Sequence, residues 1–461
     1  MDGTFDRAIV IGGSIAGASA AAALAPHFAE VVVLDRDELP NKSARRKGVP
    51  HSYQFHTLTV GGRLALEDLF PGLTDDLTAA GVPCSDPAFD TRYASKFGWF
   101  ARQRSSMRMV QPTRRYLEWY LRGRSAKLAN VEVMASTRVT GLAVTDGWVT
   151  GVHGEGEAGE PIQISAGLVV DASGRMSNAP KWLADAGFAA PVETMVNARW
   201  GYATTYVRVP EEWDPGYVSY YVGPTVSGEG PSATRGAAMW PQEDNLVVVT
   251  AQGCAGDFPP GELDSFREYL RSFGGVEFAD LIDEFGTVSD VEVWRNTTNR
   301  LRDYAGLPAR PEGFVLIGDS VAAFNPIYGQ GMAMAAMGAQ ALGEVVAEQK
   351  VGGVGDLTGF AGRFQGRLHE MVMRCWEFST SSDFRVPGVE IDGVRQEHVE
   401  RPESEYADRV LALATEDPAI SLKFMETINL VRTAEWMADE ELRQRVLADW
   451  DRLGSLARAL A

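Results

Sequence analysis

Cysteine is scarce. The 461 residues contain three, Cys84, Cys254 and Cys375, scattered and without a CxxC pair. That excludes a disulfide framework and a thiolate zinc site. Positive charge is also short: 43 Lys and Arg stand against 62 Asp and Glu, a formal net charge of -19 and a pI of about 4.8. Such a surface repels phosphodiester backbones and anionic lipid, so no nucleic acid and no membrane is expected as a partner. The same charge is also what an ordinary enzyme uses to stay monodisperse. Long hydrophobic runs are missing. The longest, such as Gly331 to Leu342, are rich in Ala and Met and too short to span a bilayer. Met1 to Arg7 is polar and runs straight into a strand-like segment, which predicts no signal peptide and a cytoplasmic location. Internal repeats and low-complexity tracts are absent.

What is present is an ordinary globular composition, 45% hydrophobic and 23% charged, long enough for about two or three domains. Ala8 to Ile11 reads as a strand, Ala16 to Leu24 as a helix of small residues, and Val31 to Leu34 as a second strand ending in Asp35. Strand, turn, helix, strand is a βαβ unit. The turn is Gly12-Gly13-Ser14-Ile15-Ala16-Gly17, a GxGxxG frame with serine at the second glycine. Gly12 permits the tight turn, and Ser14 is small enough for the backbone to approach a pyrophosphate. Gly17 lets helix and sheet pack closely. Asp35 stands where a carboxylate accepts ribose hydroxyls, so the unit predicts dinucleotide binding. Gly154 to Gly159 fits the same frame, but its glutamates repel phosphate and Pro161 follows where a helix is needed; it reads as a hairpin loop.

Further elements follow from the pattern. Gly61 to Phe70 and Arg114 to Leu128 are helical, Phe97 to Val110 is strand-like, and Val131 to Val152 is a hairpin turning at Asp146-Gly147. Leu168 to Val170 is a buried strand ending in Asp171. From about Asn197 to Arg300, strands such as Trp200 to Val209 and Leu246 to Ala251 indicate a separate antiparallel layer. The βα pattern resumes at Phe314 to Asp319, and the chain reads as helical after about Glu390. The Gly318-Asp319 step puts a carboxylate at the C-terminal edge of a sheet, and Pro326 to Gly331 feeds a helix N-terminus whose free N–H groups favour negative charge. Trp200, Tyr202, Thr204 and Tyr206 share parity and hence one strand face; Met239, Trp240, Tyr220 and Trp294 supply more aromatic and apolar bulk to that layer.

These segments together resemble the FAD-dependent aromatic hydroxylases and epoxidases of the p-hydroxybenzoate hydroxylase-like fold, nearest to bacterial polyketide and polyether olefin epoxidases and hydroxylases. The likeness is carried by Gly12 to Gly17, Arg46 to Pro50, Arg114 with Leu117-Glu118, Asp171 to Ser177, Arg302 to Tyr304, Gly318 to Met332 and Asp383 to Pro387. It implies an α/β fold: a discontinuous Rossmann-like FAD-binding domain, an inserted antiparallel β-rich substrate domain and a helical C-terminal region. The expected division is 1–85, 111–180 and 301–390 for FAD, 86–110 and 181–300 for substrate, and 391–461 for the helical region. In this reading Gly12, Ser14 and Gly17, with Ile15 and Ala16, hold the FAD pyrophosphate, and Asp35, with Arg36, the adenosine ribose. Arg46, Lys47 and Arg114 lie along the phosphates and ribityl chain, and Asp319 binds the ribityl or phosphate region. Pro326, Gly329 and Gly331, with Met332, border the isoalloxazine, and no side chain is assigned as a chemical catalyst. Trp200, Tyr202, Tyr220, Met239 and Trp240 are the candidate substrate residues.

The activity implied is a monooxygenase reaction. Reduced flavin captures O2 as a C4a-hydroperoxide, and oxygen passes to a C=C bond of a bulky apolar metabolite. No metal is needed. Asp171-Ala172-Ser173-Gly174 departs from the hydroxylases' Asp-Gly step, which leaves electron supply open between NAD(P)H and a separate flavin reductase. His51, Gln54 and His56 replace part of a histidine-containing segment of that branch and read as loop or packing residues. The paired-tryptophan and lysine signature of flavin halogenases is absent. A flavin dehydrogenase or reductase without oxygen insertion, and a flavin-binding protein without turnover, are the competing readings.

Overall fold

The computed structural model describes residues 5–226, 230–352, 356–396, 399 and 403–459. Its first layer is a five-stranded parallel sheet ordered Phe314–Leu316, Leu168–Asp171, Arg7–Ile11, Glu30–Leu34, Val131–Met134. The strands are runs of Val, Ile and Leu because both faces are covered. Helix Ile15–Leu24 is alanine-rich for the same reason: apart from Ala16 all its residues are buried, and it lies against helices Arg114–Ser125 and Gly331–Val351. Small side chains allow that three-way approach. A three-stranded meander, Arg138–Thr145, Trp148–Glu155 and Pro161–Ser165, is appended. Its first turn is Asp146-Gly147, with φ of 50° and 79°, the backbone that a tight two-residue hairpin demands. The Gly154 to Gly159 stretch ends one of these strands and turns into the next, as a hairpin loop should.

The second layer is a seven-stranded sheet ordered Glu292–Trp294, Gly201–Arg208, Leu246–Gly253, Arg235–Pro241, Ser219–Val222, Thr91–Ser95, Gly98–Trp99. All its pairings are antiparallel except Ser219–Val222 with Thr91–Ser95. One face buries Ala203, Val207, Ala237, Met239, Val249 and Tyr220 under helices Leu263–Ser272 and Val276–Phe285 through Phe266, Leu270, Phe278 and Ile282. The other face carries Tyr202, Tyr206, Trp240 and Thr250 toward the first layer. A smaller antiparallel sheet, Ala322–Ala323, Asn299–Asp303, Val192–Asn197, Glu390–Ile391, Val394–Arg395, joins the two layers.

Three expectations need correction. Val131–Met134 is not part of the hairpin but the edge strand of the parallel sheet, beside Glu30–Leu34, and the hairpin begins at Arg138. Only Gly98–Trp99 and Met109–Val110 of the segment 97–110 are strands. The polar stretch between them is held irregularly, with Ser105 N and Oγ donating to Asp86 at 2.6 and 2.7 Å. The chain also does not turn helical at Glu390. Asp392-Gly393, at φ 49° and 80°, first makes a short hairpin that extends the third sheet. Helices Glu403–Leu413, Pro418–Ile428, Glu440–Ala448 and Trp450–Ala459 follow and close over Phe97 and Phe100. No described helix is long and apolar enough to cross a membrane.

Candidate functional site

The Gly-rich turn sits where the first parallel strand meets its helix. Gly12 has φ +98°, and a Cβ there would lie 2.7 Å from Ala172 O; at Gly17 it would lie 1.7 Å from Gly12 O. No other residue fits either place. Ser14 is the N-cap of helix Ile15–Leu24 but makes no capping bond, and the first turn holds no acid. Ser14 Oγ donates instead to Glu118 at 3.0 Å, and the uncapped N–H groups of this helix end favour an anion. Asp35 is buried beside it, accepting from Gly13 N at 2.7 Å and Asp37 N at 2.9 Å.

Around the turn lies a buried charge network. Arg46 donates to Glu118 at 2.5 Å, to Asp37 at 2.8 Å and to Asp35 at 3.3 Å. Arg114 pairs with Glu118, one helical turn on, and donates to Ser14 Oγ at 2.8 Å. Burial alone would raise the Glu118 carboxyl, but Arg114 and Arg46 outweigh it and hold it down to about 2. Asp37 and Glu118 are essential to this geometry and were not singled out from sequence as ligand-side residues. Glu118 had a readable signal, since it stands four residues after Arg114 on one helix face. Arg36 and Lys47, by contrast, are exposed; among the described residues Arg36 pairs with Asp37, at 4.0 Å. A cleft of about 320 Å³, bordered by Gly13, Val33, Leu39, Pro40, Trp119 and Val133, opens beside the Asp35 strand.

The second half of the groove is built by the 318–331 segment. Gly318, at φ +59°, brings the chain against Ala16: a Cβ added there would lie 3.1 Å from Ala16 Cβ. Asp319 follows, acted on by Arg175, Arg114 and Arg300 through charge and, among the described residues, by no hydrogen bond; burial pushes its carboxyl up against that pull. Asp171 differs in kind. It is fully buried and spent on the protein, accepting from Ser173 N at 2.8 Å, Ser177 Oγ at 2.5 Å and Ser320 Oγ at 3.3 Å. Gly329 adopts φ +67°, where a Cβ would meet the Thr57 side chain at 2.8 Å, and Gly331 opens toward Asp319. Met332 packs into the core with Leu58 and Leu66. The rings of His51 and His56 lie 5.3 Å apart and tilted by 37°, with Trp294 5.5 Å from His51. Burial and Arg114 depress His56 to about 3. Burial, His56, Arg114 and Arg175 likewise hold His51 well below its ordinary value. Both are neutral rings at the groove.

Beyond the Pro326–Gln330 loop lies a cavity of about 960 Å³, the size of a site for a large organic ligand. Its walls are Tyr202, Trp240, Tyr221 and Ala238 of the seven-stranded sheet, Trp200 just before its strand Gly201–Arg208, Phe55 and Thr57 of an irregular segment, Tyr328 and Gln330 of the loop, and residues between Phe424 and Met437 of the C-terminal region. Tyr202 OH, Trp240 Nε1 and Gln330 Oε1 are buried without a hydrogen-bond partner among the described residues. The structure thus brings Trp200, Tyr202 and Trp240 together and separates them from Tyr220 and Met239. Those two point to the opposite face, into the core under the helices, because strand parity alternates; Tyr221 and Ala238 take their place.

A doubly wound nucleotide layer, facing an antiparallel sheet across a cavity, defines a flavoprotein of the p-hydroxybenzoate hydroxylase-like fold. The chain belongs to the FAD_binding_3 family of FAD-binding domains, whose profile matches residues 7–356. Protein Rv3254 of Mycobacterium tuberculosis is 30% identical over 442 residues, covering 92% of this chain and 90% of the relative. The crystal structure of p-nitrophenol 4-monooxygenase PnpA from Pseudomonas putida superposes with a TM-score of 0.65 at 17% identity, covering 93% of this chain and 99% of that one. PqsL, a probable FAD-dependent monooxygenase from Pseudomonas aeruginosa, gives 0.61 at 17% identity, covering 82% and 97%. At such identity the two structures share the fold.

Proposed function

We propose that this protein is an FAD-dependent monooxygenase acting on a C=C bond or aromatic ring of a bulky, largely apolar organic substrate. The observation that carries the reading is the aromatic cavity of about 960 Å³ that shares the Pro326–Gln330 loop with the nucleotide groove. Residues 86–110 and 181–300 would form its substrate wall and 391–461 its cover.

The residues fit FAD. The uncapped helix end at Ser14, with Gly12 and Gly17, would receive the pyrophosphate, and the unpaired Asp319 carboxylate would accept from the ribityl hydroxyls. Asp35 would take the ribose, with the cleft beside it as the adenine site. Arg46 and Arg114, held by Glu118, would screen the phosphate charge. The start of helix Gly331–Val351 would face the N1–C2=O edge of the ring and stabilise its negative charge on reduction. When bound and reduced, FAD supplies the activation of O2. The chain keeps water out with Phe55, Trp240, Phe424 and Met425 and holds the substrate against the loop. One oxygen atom enters the product and the other leaves as water; the two electrons come from NAD(P)H or a partner reductase.

The test is turnover under ¹⁸O2 with candidate polyenes and polycyclic aromatics. A product heavier by one labelled oxygen, with matching O2 uptake, supports the reading. A product that gains hydrogen without label would make it a reductase, and no substrate-dependent O2 uptake would remove the oxygenase assignment.

A further inference from the structure

Asp383 ends the long helix Phe360–Asp383 and is 1% exposed. A carboxylate is disfavoured at that end of a helix, and a buried one needs compensation. Here every hydrogen-bond partner is neutral. Trp200 Nε1 donates at 2.8 Å, Asn299 Nδ2 at 2.6 Å, Tyr328 OH at 2.8 Å, and Asn325 Nδ2 lies 3.2 Å from each oxygen. These donors come from separate parts of the fold. Trp200 and Tyr328 are cavity wall, edge-on at 6.5 Å, and Asn325 caps the Pro326–Tyr328 turn by accepting from Ile327 N at 3.2 Å. Asn299 completes the frame. Its Oδ1 accepts from Asn325 N at 2.7 Å and from Ser379 Oγ at 2.6 Å.

Two oxygens therefore tie the substrate wall to the loop on the flavin side. The geometry points to Asp383 as a positioning residue that fixes Trp200 and Tyr328 relative to the Pro326–Gln330 loop, and so sets how close a cavity ligand lies to the flavin. A scaffold alone does not require a charge here, since an apolar side chain of similar volume packs at no such desolvation cost. An unprotonated carboxylate does one thing an amide cannot: it accepts from all these donors at once, whereas Asn would turn an NH2 group toward one or more of them.

This inference rests on the proposed cofactor and cavity, but its test does not need oxygen chemistry. The FAD-loaded protein is titrated with 1-hydroxypyrene, a fluorescent polycyclic alcohol, and both the affinity and the depth of quenching by flavin at saturation are read. In Asp383→Asn, with FAD content and Tm recorded alongside, the affinity is expected to fall by about five-fold or more, and saturating quench to become shallower. Tyr328→Phe and Trp200→Phe each remove one donor while leaving Asp383 with the others, and should move both readings the same way by a smaller factor; they carry the test if Asp383→Asn does not fold. A lower Tm with unchanged affinity and quench would make Asp383 a purely structural residue and overturn the inference. So would wild-type protein that does not quench the probe. If the readings shift as expected but ¹⁸O never enters a product, the positioning role stands and the monooxygenase reading falls.

Discussion

At the residue scale, the acidic groups divide by whether the protein has already used them. Asp171 is saturated by Ser173, Ser177 and Ser320, whereas Asp319 is met only by the charges of Arg175, Arg114 and Arg300. Asp319→Ala should therefore weaken FAD binding by about 1.5–3 kcal/mol, the range for a charge-assisted hydrogen bond, and leave unfolding of the apoprotein nearly unchanged. Asp171→Ala should do the reverse. Equilibrium FAD titration beside urea unfolding separates them, and equal FAD affinity in folded Asp319→Ala would sink the assignment. Glu118 and Asp383 pull stability in opposite directions with pH. Glu118 is held at about 2, below its ordinary 4.5, because Arg114 and Arg46 override its burial. Its contribution is present above pH 4.5 and lost as pH falls toward 2, roughly 3 kcal/mol in all. Asp383 is raised by burial from 3.8 to about 6 despite its hydrogen bonds. Its contribution is present below pH 3.8 and lost as pH rises through 6. Urea unfolding as a function of pH should thus steepen its pH dependence below 4.5 in wild type relative to Glu118→Gln. Between pH 4 and 6, Asp383→Asn should lose a downward slope that wild type retains. Parallel curves would show that neither group titrates as the geometry requires. Glu118 could have been picked from its i, i+4 spacing to Arg114, but Asp383 could not be assigned a role, since its donors lie 55 to 183 residues away in the chain.

At the scale of elements, the close packing of helix Ile15–Leu24 on its strand is the fragile joint. Gly17→Ala would drive a Cβ to 1.7 Å from Gly12 O, and backbone cannot yield as a side-chain tip does. It is expected to cost about 3 kcal/mol or more and to abolish FAD retention. Gly366→Ala, inside helix Phe360–Asp383 with nothing within 4 Å, should instead stabilise by about 0.5–1 kcal/mol. Chemical denaturation of the pair checks this, and similar effects of both would refute the close-packing argument. The βαβ unit was legible because its signals are local: apolar runs, a glycine turn, an acid after the second strand. The Glu390–Arg395 hairpin also had a local signal, Asp392-Gly393 between Ile391 and Val394, although the charged texture of the region masked it. Tyr220 and Met239 show the complementary failure. Their residue types suited a cavity wall, but which face of a strand meets ligand depends on what covers the other face, here helices Leu263–Ser272 and Val276–Phe285.

At the scale of the whole molecule, Asn429 latches the C-terminal region to the nucleotide layer, in addition to the Arg385–Asp408 ion pair. Val60 N donates to Asn429 Oδ1 at 3.3 Å and Gly61 N to Asn429 O at 2.8 Å, just where Phe424 to Met437 wall the cavity. Asn429→Ala keeps the backbone bond and loses both side-chain bonds, the one accepted from Val60 N and the one donated to Met425 O at 2.9 Å, so it should cost about 1–3 kcal/mol. Limited proteolysis should then cut the C-terminal region faster while FAD stays bound; unchanged cleavage would show that the latch lies elsewhere. The chain by itself determined the class of fold, the FAD-binding family, the glycine turn, Asp35 and the 318–331 loop. Each of those depends on short-range backbone requirements, a left-handed φ, a missing Cβ, a carboxylate at a strand end, that residue identity encodes directly. Only the tertiary structure decided which aromatics bound the cavity, that Arg36 and Lys47 face solvent, and that Trp200, Asn299, Asn325 and Tyr328 converge on Asp383. Those outcomes depend on how two sheets and a late helical segment pack, and a burial or hydrogen bond made between distant segments leaves no pattern in the residues on either side of it.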